Sequence, residues 1–274
     1  MMKNEIVFSF ASSEVGPLGR AFIKITELST GQPKLKKIYD DYIKDNRPPE
    51  LFWHDAVERL NLKVNIKTGA KNLIPKTGKL LVVSNHPFGT IDGIILCSIL
   101  TKIRSDVKII THKVLAQAPA VKHQILPIDF TASKSALINN IMTKRKAEDH
   151  LKNDGVVIIF PNGQISTDKK YKQKIIEKEW KTFASKLTLK SKSPVLPFYF
   201  EGQNSKVFHY ANKIGQTFRY SVLMYELRKK MGKTINVHIG SLIDNDRIKS
   251  IGGLKEITDY LRQETYNLDP ENIH

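Results

Sequence analysis

The stretch Leu80–Leu100, LLVVSNHPFGTIDGIILCSIL, decides the fold. It is the longest apolar window in the chain, yet Asn85, His86, Pro87 and Asp92 interrupt it. A membrane-spanning helix needs about 18 unbroken apolar residues, so this window cannot be one. Leu80–Val83 has the length of a buried strand. Pro87 fixes its own φ, and Gly89 frees the chain for a sharp turn. Thr90 is placed to cap a helix that begins near Ile91, with Asp92 in its first turn. The stretch therefore reads as strand, turn, helix.

Similar runs recur on either side. Lys63–Lys67 alternates like a half-buried strand. Val107–Ile110, Ile125–Ile128, Val156–Phe160, Val195–Phe200 and Ile235–Ile239 repeat the short apolar run. Helical patterns lie between several of them. Ala136–Leu151 is one, and Ile176, Trp180, Phe183, Ala184 and Leu187 mark another. Phe218–Met231 and Ile248–Leu261 supply two more. Strands alternating with helices predict an α/β fold: a mixed, largely parallel central sheet flanked by helices. Residues 61–274 read as one domain behind a helical N-terminal lead-in, residues 1–60. In the lead-in, Leu35, Ile38, Tyr39, Tyr42 and Ile43 share one helix face, flanked by Lys34, Lys36, Lys37 and Lys44. A basic amphipathic helix can lie on an anionic membrane, and Lys34–Lys44 is the candidate for membrane contact, although packing on its own domain is the commoner use of such a pattern. Leu51, Phe52, Ala56, Val57 and Leu60 predict a second helix.

The formal net charge is +17, from 44 basic and 27 acidic residues. Such an excess favours an anionic partner or is simply a solvated lysine-rich surface. Dense basic spots occur at Lys34–Lys37, Lys144–Lys146 and Lys169–Lys174. Aromatic residues are not interleaved with them as a single-strand platform requires, and nucleic acid is not expected as a partner. The single Cys97 excludes an internal disulfide, and the scattered histidines show no metal-ligand spacing. A cytoplasmic protein, soluble or peripheral to a membrane, is expected.

In open α/β sheets, ligands gather at the carboxyl ends of strands. Three polar motifs directly follow apolar runs: SNHPFGTIDG at Ser84–Gly93, PNGQIST after Phe160, and EGQNS at Glu201–Ser205. Asp92 can be an ordinary helix-start carboxylate and His86 an ordinary polar residue at a strand end. Alternatively, Asp92 orients the His86 imidazole, which then acts as general base toward a substrate hydroxyl. No G-x-S-x-G elbow supplies a protein nucleophile, so the attacking hydroxyl would belong to the substrate.

In order and separation, these blocks resemble the lysophospholipid acyltransferase superfamily, the PlsC-like glycerolipid acyltransferases. SNHPFGTIDG resembles its His–Asp block, FPNGQIS its F-P-x-G-x-x-S block and SPVLPFYFEGQNS its V-P-type block. Ile125–Phe130 stands where the family has a further strand-end block. The resemblance covers roughly residues 51 to 243. Most of that family places four residues between His and Asp; here five intervene. Asn162 and Ile165 replace the usual acid and arginine, and Asp129 stands where a basic residue is frequent. An isoleucine cannot replace an arginine fork on phosphate. The altered pattern is similar to the branch often labelled hemolysin, with the O-acyltransferases of lyso-ornithine and lyso-glycine lipids.

The resemblance implies acyl transfer from an acyl carrier protein or CoA thioester to a lyso-lipid hydroxyl, with no bound cofactor or metal. It implies His86 and Asp92 as the catalytic pair. Asn85, Phe88, Gly89, Phe160, Asn162, Gly163, Ser166, Glu201 and Asn204 are the expected substrate contacts, with backbone groups near Gly163 as oxyanion donors; Glu201 and Asn204 read equally well as a pair that stabilises their loop. A lyso-aminolipid acceptor, an anionic membrane surface and a place at the inner face of the cytoplasmic membrane complete the expectation. The alternatives are a lysophosphatidic acid or other lysophospholipid acyltransferase, and a non-catalytic basic protein that binds membrane or nucleic acid.

Overall fold

The computed structural model describes residues 9, 16–69, 71–131, 133–166, 179–214, 218–219 and 222–272. Each of the seven apolar runs forms a strand: β1 (Lys63–Thr68), β2 (Leu80–Ser84), β3 (Val107–His112), β4 (Ile125–Ile128), β5 (Val156–Ile159), β6 (Val195–Phe200) and β7 (Thr234–Ile239). They form one sheet in the order β1-β7-β6-β2-β5-β3-β4. β6, β2, β5, β3 and β4 run parallel. β7 pairs antiparallel with β6 and parallel with β1, so β7 and β1 run the other way. β2 is central. Leu80 and Val82 enter the core on one face, Leu81 and Val83 the core on the other. A parallel strand covered on both faces has no polar side, which is why LLVV is continuous.

The helices are α1 (Pro17–Thr30), α2 (Gln32–Lys44), α3 (Phe52–Arg59), α4 (Thr90–Thr101), α5 (Lys134–Lys152), α6 (Phe183–Ser191), α7 (Lys206–Ile214), α8 (Leu223–Lys230), α9 (Asn245–Lys249) and α10 (Leu254–Tyr266). α4 lies on one face of the sheet with α3 packed beyond it, and every residue from Ile91 to Leu100 is buried. Residues of α5, α6 and α10 fill the other face. Arg104, just past α4, is buried. It donates to the carbonyls of Gly78 and Asp154 at 2.6 Å each and pairs with Asp106. This ties the end of α4 to the residues leading into β2 and β5, which carry the candidate site.

Several expectations change. The apolar face of α2 is occupied: Leu35, Ile38 and Tyr39 pack on the core and Tyr42 is buried. Its apolar side thus packs largely on its own domain, with Ile43 left half exposed. α1 instead exposes Leu18, Phe22, Ile25 and Leu28. Trp53 and Leu60 share the core of the sheet, so the helical lead-in packs into the main body. Thr90 is the first residue of α4 and Gly89 is its N-cap. The single helix expected over Ile248–Leu261 is two, α9 and α10, because Gly252 adopts φ 134° between them. The Phe218–Met231 pattern yields α8 from Leu223. Lys169–Lys174 and Ile176 lie outside the described residues. Among the described residues, no helix is long and apolar enough to cross a membrane.

Candidate active site

β6, β2 and β5 are parallel neighbours, so the three polar motifs leave the same end of the sheet side by side. His86 follows β2 and Phe160 follows β5. Their rings stack with centroids 3.9 Å apart and planes 22° apart. The His86 carbonyl accepts the Ser166 N–H at 2.8 Å. His86 Nδ1 lies 3.0 Å from Asp92 Oδ2. That same oxygen accepts the N–H groups of Phe88 and Gly89, each at 2.9 Å.

The five intervening residues are thus accommodated by the turn itself. Gly89 takes φ 83° and ψ −120°, and a Cβ there would meet Ile165 Cδ1 at 2.7 Å. Only glycine fits this backbone and this close approach. Asp92 sits at the third helical position, where it accepts the N–H of its own N-cap. Burial pushes the Asp92 carboxyl up, and the imidazole of His86 and the N–H groups of Phe88 and Gly89 oppose this without cancelling it. The arrangement orients one imidazole nitrogen on a buried carboxylate.

His86 opens on a cleft of about 580 Å³. Gly89, Phe160 and Gly163 also line it, together with Phe130, Lys144 and two residues that the sequence did not single out, Lys181 and Arg219. Next to it lies an apolar cavity of about 150 Å³, walled by α2, α3, α4 and α8 through residues such as Leu35, Ile38, Trp53, Ile94 and Leu227. Thr90, Gly93, Leu115 and Leu223 line both spaces. The cleft and the cavity therefore share a wall at the start of α4, close to His86.

Other expected contacts lie elsewhere. Asn85 clamps the backbone of Phe200: Nδ2 donates to its carbonyl at 2.9 Å and Oδ1 accepts its N–H at 2.8 Å. Asn85 ties the ends of β2 and β6 together and positions His86 from behind. Phe88 is buried, with Lys230 Nζ 4.2 Å from its ring centre. Asn162 and Ser166 are buried and do not line the cleft. The Gly163 N–H donates to the Phe160 carbonyl at 2.9 Å. Of the backbone groups near Gly163 expected as oxyanion donors, the Gly163 N–H is thus already engaged, as is the Ser166 N–H on His86. Asn204 is buried away from the cleft wall, and its amide has no protein partner among the described residues.

Glu201 belongs to a polar network toward the β1 edge. Its carboxylate accepts from Asn236 Nδ2 at 2.7 Å and meets His238 Nε2 at 2.5 Å, while Thr68 Oγ1 lies 2.7 Å from His238 Nδ1. Burial pushes the Glu201 carboxyl up, but the hydrogen bonds from Asn236 and His238 outweigh it and hold it below the usual carboxylate range. A depressed carboxylate contributes stability above its unfolded pKa, and this is lost as pH falls through the folded value. Glu201→Gln should therefore lower the melting temperature at neutral pH and flatten its fall in acid, with kcat unchanged. Thermal melts across an acid pH series, with activity assays, check this.

Comparison with known proteins agrees with the fold. The Acyltransferase family profile matches residues 39–272. The lyso-glycine lipid O-acyltransferase of Phocaeicola vulgatus is 32% identical over 212 residues, 74% of this chain and 72% of that protein. The protein of the same name from Bacteroides thetaiotaomicron is 30% identical over 200 residues, 70% of each chain. The crystal structure of the 1-acyl-sn-glycerophosphate acyltransferase PlsC from Thermotoga maritima superposes with a TM-score of 0.53 at 17% identity, covering 93% of this chain and 88% of that one. The chain belongs to the acyltransferase family, shares the fold of PlsC and is an O-acyltransferase.

Proposed function

We propose that this enzyme moves a fatty acyl group from an acyl carrier protein or CoA thioester to the hydroxyl of a lyso-aminolipid of the glycine- or ornithine-lipid type. The observation that carries this reading is the wall shared by the His86 cleft and the apolar cavity. A fatty chain seated in the cavity leaves its carbonyl end beside the imidazole. His86 takes the hydroxyl proton through Nε2 as the oxygen attacks the thioester carbonyl. Asp92 holds Nδ1–H and stabilises the imidazolium. Collapse of the tetrahedral intermediate expels the donor sulfur, which leaves as the thiol after taking the proton back.

The acceptor head group meets the cations of the cleft. Lys144, Lys181 and Arg219 line it, and Ile165 stands where phosphate readers place an arginine. An N-acylated glycine presents a carboxylate there. Lys181 is close to the motif: its Nζ lies 3.3 Å from where a Gly163 Cβ would be. The reading also places the enzyme at the inner face of the cytoplasmic membrane, held by the exposed apolar side chains of α1. The +17 charge attracts the anionic leaflet and an acidic carrier.

The test is acyl transfer by purified protein from labelled donor to each acceptor. Lyso-glycine or lyso-ornithine lipid should be acylated in preference to lysophosphatidate, and the reverse order sinks the aminolipid reading. Lys181→Gln should raise the KM for the acceptor about tenfold and leave the donor KM unchanged. Chain length gives a second handle. Ala56→Phe builds a ring into the cavity and should lower kcat/KM for long-chain donors by about tenfold or more, shifting preference to shorter chains. A donor chain-length series reads this directly.

A further inference from the structure

α5 carries an apolar surface that the chemistry above leaves unused. Ala136, Thr143, Ala147 and Leu151 anchor its buried side. On the outer side, Leu137, Ile138, Ile141 and Met142 are 63%, 58%, 45% and 50% exposed. Helical spacing places these four on one arc, and Lys134 and Arg145 fall on the same arc. The arc starts at the cleft. Asn140 and Lys144, on the adjoining side of α5, line the cleft wall, and Asn140 is bonded to Asp129 at 2.8 Å and 2.6 Å. Phe130, which also lines the cleft, is 46% exposed. A contiguous aliphatic surface of this kind beside a cleft marks an interaction site.

We propose that the first half of α5 docks on an anionic lipid leaflet, sinking Leu137, Ile138, Ile141 and Met142 into the acyl-chain boundary while Lys134 and Arg145 meet lipid phosphates. The cleft then opens directly on the layer that holds the acceptor. This deepens the lyso-lipid reading and rests on it for the identity of that acceptor. Charge complementarity favours lipid: the arc is aliphatic with cations, and the acids of α5, Glu148 and Asp149, stay in its last turns. Aliphatic side chains with basic residues that reach the headgroups are the pattern of a helix lying in the interface.

The test uses the full-length protein and vesicles of phosphatidylcholine with phosphatidylglycerol. In Ile138→Trp, vesicles should shift the added indole's emission to the blue, and brominated acyl chains should quench it. Trp53 and Trp180 are buried and give a constant background. The double variant Leu137→Gln/Ile141→Gln should lose about tenfold in acyl transfer to acceptor presented in vesicles, and keep full activity on acceptor dispersed in detergent. Absence of both blue shift and quenching overturns the proposal. So does a raised KM for carrier-bound donor in the double variant with vesicle activity intact, since the face would then dock the carrier. Failure of the lyso-lipid reading shows separately, as wild-type inactivity on every dispersed acceptor while the indole signals persist.

Discussion

His86→Ala should lower kcat by at least about a thousandfold while the melting temperature stays within a few degrees of the parent. The ring stacks on Phe160 and pairs with Asp92, while β2 and β5, which carry the two stacked rings at their ends, are already joined through their backbones. The ties that set the local backbone are made by other groups: Asn85 to Phe200, and the Ser166 N–H to the His86 carbonyl. Those survive the substitution. The variant should also bind acceptor-containing vesicles like the parent, because α1 and α5 are untouched. Acyl transfer at or near the parental rate in a folded, membrane-binding His86→Ala protein would overturn the general-base role.

Asp92→Asn separates chemistry from stability. Asp92 Oδ2 meets the Phe88 N–H, the Gly89 N–H and His86 Nδ1 alike, so an asparagine oxygen in its place still orients the imidazole. It carries no charge, however, and no longer stabilises the imidazolium that forms when His86 takes the proton. On this logic kcat should fall by about a hundredfold to ten-thousandfold. Stability should move the other way. The folded pKa of Asp92 is raised, chiefly by burial. A raised carboxylate contributes stability below its unfolded pKa and loses it as pH rises through the folded value. At neutral pH the buried charge is therefore a cost that asparagine removes. The variant should melt at the parental temperature or above, and its melting should depend less on pH. A variant that both loses activity and unfolds easily would show that Asp92 serves chiefly to start α4.

Much of the fold was legible because its signals are local. Seven apolar runs became seven strands, since a strand buried in a parallel sheet needs no polar partner face. The three polar motifs could be read as one site because strand ends in such a sheet converge. The reversed direction of β7 relative to β6 was not legible, since nothing in TINVHI distinguishes the two directions. The places of Asn85 and Glu201 were not legible for a related reason. A polar residue at a strand end looks the same whether it faces substrate or a neighbouring backbone. The partners of Glu201, Asn236 and His238, lie 35 and 37 residues away in the chain. The apolar cavity escaped notice because its walls come from α2, α3, α4 and α8, whose apolar faces read individually as ordinary core. Lys181 and Arg219 stand in no motif, and only the folded chain brings them to His86.

The division of labour around the cavity has a consequence for how such enzymes diversify. His86 and its supports are fixed by strand ends and backbone ties, whereas much of the cavity wall belongs to α2, α3 and α8. On the proposed reading, inherited changes on those helix faces would retune which fatty chain is accepted while the backbone ties around His86 stay as they are. A lineage could then adjust the fluidity of its membranes at a few wall positions, without touching the residues that hold the imidazole.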